Sequence, residues 1–173
     1  MQSTRGFSLI ELLIVIAIIL VIAAIAIPNL LQAKMAANES SAAGSLHSLT
    51  SAETTYYNTY PTVGYSTTIA QLGGASPCTP SSTTACIVDN FLATAIPGST
   101  GKSGFYYLAT GVVVGGATYY DAYVIAAAPI VVHSTGNRDF CSTSDGVLRS
   151  QNALPGDTPV ANLASCIAYP VAQ

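Results

Sequence analysis

Apolar and polar positions divide the chain into three stretches with different rhythms. From Phe7 to Ile27 only Ser8 and Glu11 interrupt the apolar residues, and Leu12–Ile27 is an unbroken run of 16. At ~1.5 Å per residue, a helix from Phe7 to Leu31 would extend ~37 Å, enough to cross a ~30 Å hydrocarbon layer. From Leu30 the apolar residues thin to a helical stripe through Leu31, Met35, Ala42, Leu46, Leu49, Tyr56 and Tyr57. Lys34, Glu39, Ser45 and Glu53 are expected on the other faces. Pro61 marks the stop, because the residue before a proline avoids helical geometry.

This pattern predicts one helix from about Phe7 to Tyr60, some ~80 Å long at the same rise. Pro28 lies inside it. A proline there removes the bond to the Ala24 carbonyl and crowds it, so a kink is expected. Gly44 is a second weak point.

After Pro61 the rhythm changes again. Residues 61–103 read as loop, with short helical pieces in TTIAQLGG and IVDNFLATA and a Pro/Ser/Thr-dense loop in PCTPSSTTAC. GFYYLATG and YYDAYVIAAAPIVV are aromatic and β-branched runs bounded by glycines, the signature of strands. RDFC and GVLRS flank Asp145-Gly146, a hairpin-turn signal. The tail, LPGDTPVANLASCIAYPVAQ, reads as irregular. The fold class expected is α+β, with a long N-terminal helix packed on a small antiparallel sheet. The expected divisions are a polar leader at 1–6, a hydrophobic helix at 7–29, the amphipathic half of that helix at 30–60 and a head at 61–173. The head comprises a loop region at 61–103 and a sheet at 104–150.

Composition sharpens this outline. Charged residues are 8% of the chain, with five Lys+Arg against eight Asp+Glu. A disordered chain would need high charge with low hydrophobicity, and a nucleic-acid binder would need a basic stripe; neither is present. The part beyond the apolar segment is rich in Ser, Thr, Ala, Gly and Tyr, which suits an exported surface domain.

The four cysteines, Cys78, Cys86, Cys141 and Cys166, all lie beyond the apolar segment. An even count in an exported domain argues for disulfides, in one of three connectivities. Cys78–Cys86 with Cys141–Cys166 is the expected pairing, since each closes one local loop. Zinc is the rival reading. It would need close Cys/His pairs, yet no CxxC occurs and His47 and His133 are far from every cysteine in sequence.

The apolar segment admits three readings: a cleaved secretory signal with Ala24-Ile25-Ala26 as its small-residue site, a plain membrane anchor, or a filament subunit held in membrane before assembly. Glu11 discriminates among them. An acidic residue in a spanning helix costs roughly 2.5–3.5 kcal/mol on insertion scales, least near the end of the span. A simple signal or anchor gains nothing from it.

The segment GFSLIELLIVIAIILVIAAIAIPN resembles the N-terminal signature of type IV pilins and type II secretion pseudopilins. The features are a short leader with one basic residue (Arg5), Gly followed by Phe, a glutamate five residues into the mature chain, a long apolar run and then Pro-Asn. The resemblance implies that a prepilin peptidase cuts the Gly6–Phe7 bond and N-methylates Phe7. It implies an assembly role for Glu11, through the amino terminus of its own or a neighbouring subunit, and loss of helical order near Pro28. The implied partners are copies of the chain itself in a homopolymeric filament, the prepilin peptidase, an inner-membrane assembly platform with its ATPase, and the membrane before assembly. No cofactor is implied. The implied function is a structural subunit of a surface pilus serving adhesion, motility, DNA uptake or attachment. The alternatives are a pseudopilin of a short periplasmic pseudopilus in type II secretion, and a monomeric membrane-tethered binding domain.

Charge physics makes the assembly role plausible. Opposite unit charges ~4 Å apart gain ~4 kcal/mol at an effective dielectric near 20, comparable to or above the insertion cost.

The remaining residues carry weaker signals. His133, Ser134 and Asp139 suggest a hydrolase, but no nucleophile elbow occurs and no catalytic residue is expected. Asp121, Asp139, Asp145 and Asp157 could offer oxygens to calcium. They lack D-x-D-x-D-G spacing, so turn and hairpin roles are expected and no metal site. Tyr106, Tyr107, Tyr119, Tyr120 and Tyr123 read as sheet residues. Asn38-Glu39-Ser40 matches an N-glycosylation sequon within the helix, and the Ser/Thr-rich loop at 79–84 could accept O-linked sugars.

Overall fold

The computed structural model describes residues 7–172 and divides the chain into two units, residues 1–34 and 35–173. The leader 1–6, and with it Gly6, lies outside the described residues. The first unit is the apolar part of helix α1, which runs Leu9–Thr59 and carries Pro28 inside it. Every residue from Phe7 to Lys34 is exposed except Ala23, which is half-buried. No polar face relieves this exposure in the unbroken run Leu12–Ile27, so the segment's stable setting is an apolar one.

The second unit begins with the rest of α1. Two four-residue helices follow, α2 (Ile69–Leu72) and α3 (Asn90–Ala93). Asp89 caps α3 by accepting the Leu92 N–H at 2.8 Å. The sheet comprises β1 (Phe105–Val112), β2 (Ala122–Pro129), β3 (Arg138–Thr143) and β4 (Arg149–Asn152), in the order β1-β2-β3-β4, antiparallel throughout. A last helix, α4 (Leu163–Ile167), starts at Asn162, whose side chain accepts the Ala164 and Ser165 N–H groups. The tail is thus more ordered than its sequence suggests, because one asparagine cap nucleates a turn there.

The sheet is covered on both faces. On the inner face Phe105, Tyr107, Ala109, Tyr123, Ile125, Ala127 and Phe140 pack with Ala42, Leu46, Leu49, Ala52 and Tyr56 of α1. On the outer face Val124, Ala126 and Cys141 meet Cys166, with Val160, Leu163 and Tyr169 beside them. The period of two along β2 explains the division: alternate side chains go to opposite faces, and all eight are buried. The chain end also closes the β4 edge. Ser150 donates to the Pro170 carbonyl, Ala172 donates to the Leu148 carbonyl, and Arg149 bridges Val171.

Three polar residues of α1 depart from the stripe read in the sequence. Glu39, Ser45 and Glu53 are buried, whereas Leu31 is exposed and Tyr57 half-buried. Each buried polar group finds a partner far along the chain. Glu39 accepts from Asn137 N–H and Arg138 Nε, Ser45 accepts from Lys102 Nζ, and Glu53 accepts from Ser66. The exposed hydroxyls of α1 bond backward along the helix instead. Ser48, Thr54, Thr55 and Thr59 each donate to the carbonyl four residues earlier, which satisfies them without tertiary partners.

Candidate processing and assembly site

Of the residues singled out at the N-terminus, Phe7 and Glu11 stand at the start of α1 and Pro28 within it. Phe7, the first described residue, is 81% exposed and precedes Ser8 and the first turn of α1. Glu11 lies in that turn, and its Oε2 accepts the backbone N–H of Ser8 at 2.9 Å. Ser8-Leu9-Ile10-Glu11 is therefore one arm of a capping box, with Glu11 satisfying an orphan donor at the helix start. A carboxylate here also complements the positive end of the helix dipole. The S-x-x-E spacing ahead of an apolar run was the sequence signal for this contact. Glu11 thus points toward the amino-terminal end of its own helix. The Gly6–Phe7 bond lies outside the described residues.

The head residues raised as candidates occupy separate places. Cys78 is joined to Cys86 and Cys141 to Cys166, with Cα–Cα distances of 6.0 and 5.9 Å. The second link ties β3 to α4, and Gly74 lies against the Cys78 sulfur of the first. His133 sits in the β2–β3 turn with φ +64° and shares a 2.9 Å hydrogen bond between its Nδ1 and Asn137 Oδ1. His47 is exposed on α1. Asn38 of the sequon is engaged, donating to the Thr135 carbonyl at 2.9 Å.

The four aspartates divide. Asp121 accepts the Val114 N–H and Asp145 accepts from Val147 N–H, Thr143 and Arg149, so both shape turns. The Arg149 guanidinium beside Asp145 holds its carboxyl far below the usual carboxylate range. Asp157 accepts the Leu154 N–H within its own turn. Asp139 departs from the turn role expected of it. It lies within β3, buried on the outer face, because its register partner there is Gln151 of β4. Among the described residues, no group of three or more His, Cys, Asp or Glu side chains is placed to hold a metal ion.

The tyrosines gather near the end of α1. Tyr57 stacks with Tyr65 at 4.8 Å between centroids, Tyr65 meets Tyr123 edge-on at 4.7 Å, and Tyr57 meets Tyr119 at 6.4 Å. Tyr106 and Tyr107 are in β1 and Tyr123 in β2, whereas Tyr119 and Tyr120 precede β2. An open groove of 590 Å³ beside α1 is lined by Ser41, Ser45, Ser48, Ser51, Thr55 and Lys102, among others. Its one carboxylate, Asp89, is committed to capping α3.

Comparison with known proteins bears on the N-terminus. The family model described as "Prokaryotic N-terminal methylation motif" matches residues 1–27. The chain is 62% identical over 39 residues to the "Type IV wide pilus major component PilA4" of Thermus thermophilus. That match covers 22% of this chain and 30% of the relative's length. No solved structure matches the chain. Both matches are partial, so the likeness they show is that of the N-terminal segment; the long apolar helix and the four-stranded antiparallel sheet together make an α+β arrangement.

Proposed function

We propose that the chain is a structural pilin subunit, made as a membrane-held precursor and polymerised into a surface filament. The observation that carries this reading is the exposed apolar segment Phe7–Leu31, with one carboxylate at its front and a methylation motif across it. A filament core of packed helices would bury that surface. The likeness to a wide-pilus component favours a pilus over a periplasmic pseudopilus.

In this reading prepilin peptidase cuts Gly6–Phe7 and methylates Phe7. The new secondary amine keeps its positive charge. It begins one residue before Ser8, whose N–H Glu11 already holds. A neighbour's amine entering the same carboxylate gains an ion pair in an apolar surround, where an unpaired carboxylate would be costly. Glu11 thereby selects one axial register between subunits. The heads, with their disulfide-tied loops, would coat the filament, and a platform and its ATPase would supply the work of extrusion.

The test is to shear surface material from cells and sequence its N-terminus. Filaments beginning at methyl-Phe7 are the expected result. Recovery of the chain only in the cell envelope, without filaments, would favour the pseudopilus. A monomer in the membrane with Met1 intact would overturn the pilin reading.

A further inference from the structure

We propose that the groove beside α1 binds an acidic saccharide, a uronic-acid residue whose carboxylate meets Lys102 and whose hydroxyls meet the oxygens of α1 and Asp89. Such a site belongs to the second unit alone and would work with or without a filament.

Charge is the first reason. Beyond Lys34 the chain carries three Lys+Arg against seven Asp+Glu. Arg138 and Arg149 are each joined to a carboxylate, of Glu39 and Asp145. Among the described residues of this unit, Lys102 is the one lysine or arginine with no carboxylate within 4.0 Å. It is half-buried and lines the groove. A partly desolvated amine without a counter-charge favours an incoming anion.

The amine is also held in place. Lys102 and Phe105 exchange both backbone hydrogen bonds, at 2.9 and 3.0 Å, around Ser103 at φ +51° and Gly104 at φ +75°. Two positive φ values make this a type I′ turn, which costs a serine more than a glycine. The turn is pinned to α1 twice. Lys102 Nζ donates to Ser45 Oγ at 2.7 Å, and Ser41 Oγ donates to Ser103 Oγ at 2.9 Å. Two of the three ammonium protons remain for a ligand. A cation fixed before binding loses less freedom when the ligand arrives.

The lining selects the kind of anion. The volume, 590 Å³, is that of a small-molecule site. Ser48 and Thr55 donate their protons to the Gly44 and Ser51 carbonyls, so their oxygens are left to accept. Asp89 gives one oxygen to the Leu92 N–H, and its other is open to a second donor. It lines the same groove as Lys102 yet makes no ion pair with it. Ile87, Val88 and Leu92 add an apolar wall. A bare phosphate or sulfate would bring no donors to these acceptors and would face Asp89. A neutral sugar would leave Lys102 unmet. A uronic acid supplies one carboxylate, several donating hydroxyls and a C–H face.

The experiment is a ligand-observed NMR titration of the full chain, held in a detergent without a sugar headgroup. The probes are glucuronate, glucose and acetate. Glucuronate is expected to bind saturably, with a Kd of about 1 mM for so small a ligand. Glucose lacks the charge and acetate the hydroxyls, so each should bind about tenfold more weakly or worse. Lys102→Gln should bring glucuronate down to the level of glucose. Gly44→Leu places a side chain in the groove, where a Cβ meets nothing within 4 Å. Leucine also favours the helix over glycine, so this variant should lose binding with no fall in melting temperature. Absence of saturable glucuronate binding, equal binding of acetate or glucose, or wild-type affinity in both variants would overturn the site.

Discussion

Glu39 on α1 and Arg138 at the start of β3, 99 residues apart, are joined at 2.8 Å, and the next backbone N–H, of Asn137, donates to the same carboxylate at 2.7 Å. The glutamate is 9% exposed at its side chain and the arginine 43%, so the buried partner depends on the other. Removing the arginine leaves a buried carboxylate with one donor fewer. Arg138→Ala is expected to lower the unfolding free energy of the head by about 1–3 kcal/mol. Arg138→Lys should recover only part, since the guanidinium also lies 5.3 Å from the Phe140 ring centroid. Denaturant melts of the detergent-held chain will read both, and no loss in either would contradict the pairing.

Glu53 is fully buried and receives both Ser66 N–H (2.9 Å) and Ser66 Oγ–H (2.6 Å). Burial raises its pKa to about 7, against the pull of those two bonds. The folded chain therefore binds this proton more tightly than the unfolded one. The associated stability is complete below about 4.5 and is lost as pH rises through about 7. Glu53→Gln should flatten the pH dependence of the melting temperature across that window. Ser66→Ala should cost more at pH 8 than at pH 5, because it removes the Oγ–H bond that favours the ionised form while the backbone N–H bond remains. An unchanged slope in Glu53→Gln would rule the assignment out.

Gly64 has φ +87°, and a Cβ there would run into the Tyr120 backbone. The neighbouring pairs Tyr65 N–H to Tyr120 carbonyl and Tyr120 N–H to Val63 carbonyl allow no retreat. Gly64→Ala is expected to destabilise by more than about 2 kcal/mol. Gly115, at φ +70° with open space around it, should lose only about 1 kcal/mol on the same change. Equal effects at the two sites would contradict the close approach.

The two disulfides close loops of different length, with separations of 8 and 25 residues. Loop-closure entropy assigns roughly 2.5 kcal/mol to Cys78–Cys86 and roughly 3.5 kcal/mol to Cys141–Cys166. A Cys141→Ala/Cys166→Ala pair should therefore lower stability more than Cys78→Ala/Cys86→Ala. It should also expose the outer face, which hydrogen exchange in β2 and β3 would reveal.

Glu11 has two separable properties, an acceptor for Ser8 and a negative charge. Glu11→Gln keeps the first and loses the second; Glu11→Ala loses both. If charge sets the subunit register, both variants should give few filaments, while precursor insertion remains near wild type. Normal filament yield from Glu11→Gln with failure of Glu11→Ala would assign the residue to helix capping instead.

The two ends of the chain differ in how far their sequence could be read. The apolar run, the helix stop at Pro61 and the strands around Phe105 and Val124 follow from local period, and local period is what sequence displays. The buried glutamates do not. Glu39 and Glu53 read as surface residues because the partners that permit their burial, Arg138 and Ser66, lie 99 and 13 residues away. Asp139 was hidden in the same manner, since strand register decides that it is buried opposite Gln151. The Ser8–Glu11 contact was legible as a spacing, whereas local sequence leaves open whether the charge of Glu11 meets the amine of its own or of a neighbouring subunit.

The strand-like return of residues 170–172 along β4 has a consequence for a crowded array. In the filament proposed above, identical heads fixed at short spacing would meet one another at very high local concentration. An open row of backbone donors and acceptors would then template edge-to-edge fusion and aggregation. With Ser150 donating to the Pro170 carbonyl and Ala172 to the Leu148 carbonyl, these β4 groups are already paired and are not open to a neighbour. Contacts on that side are thereby left to surface chemistry, which can vary without welding one head to the next.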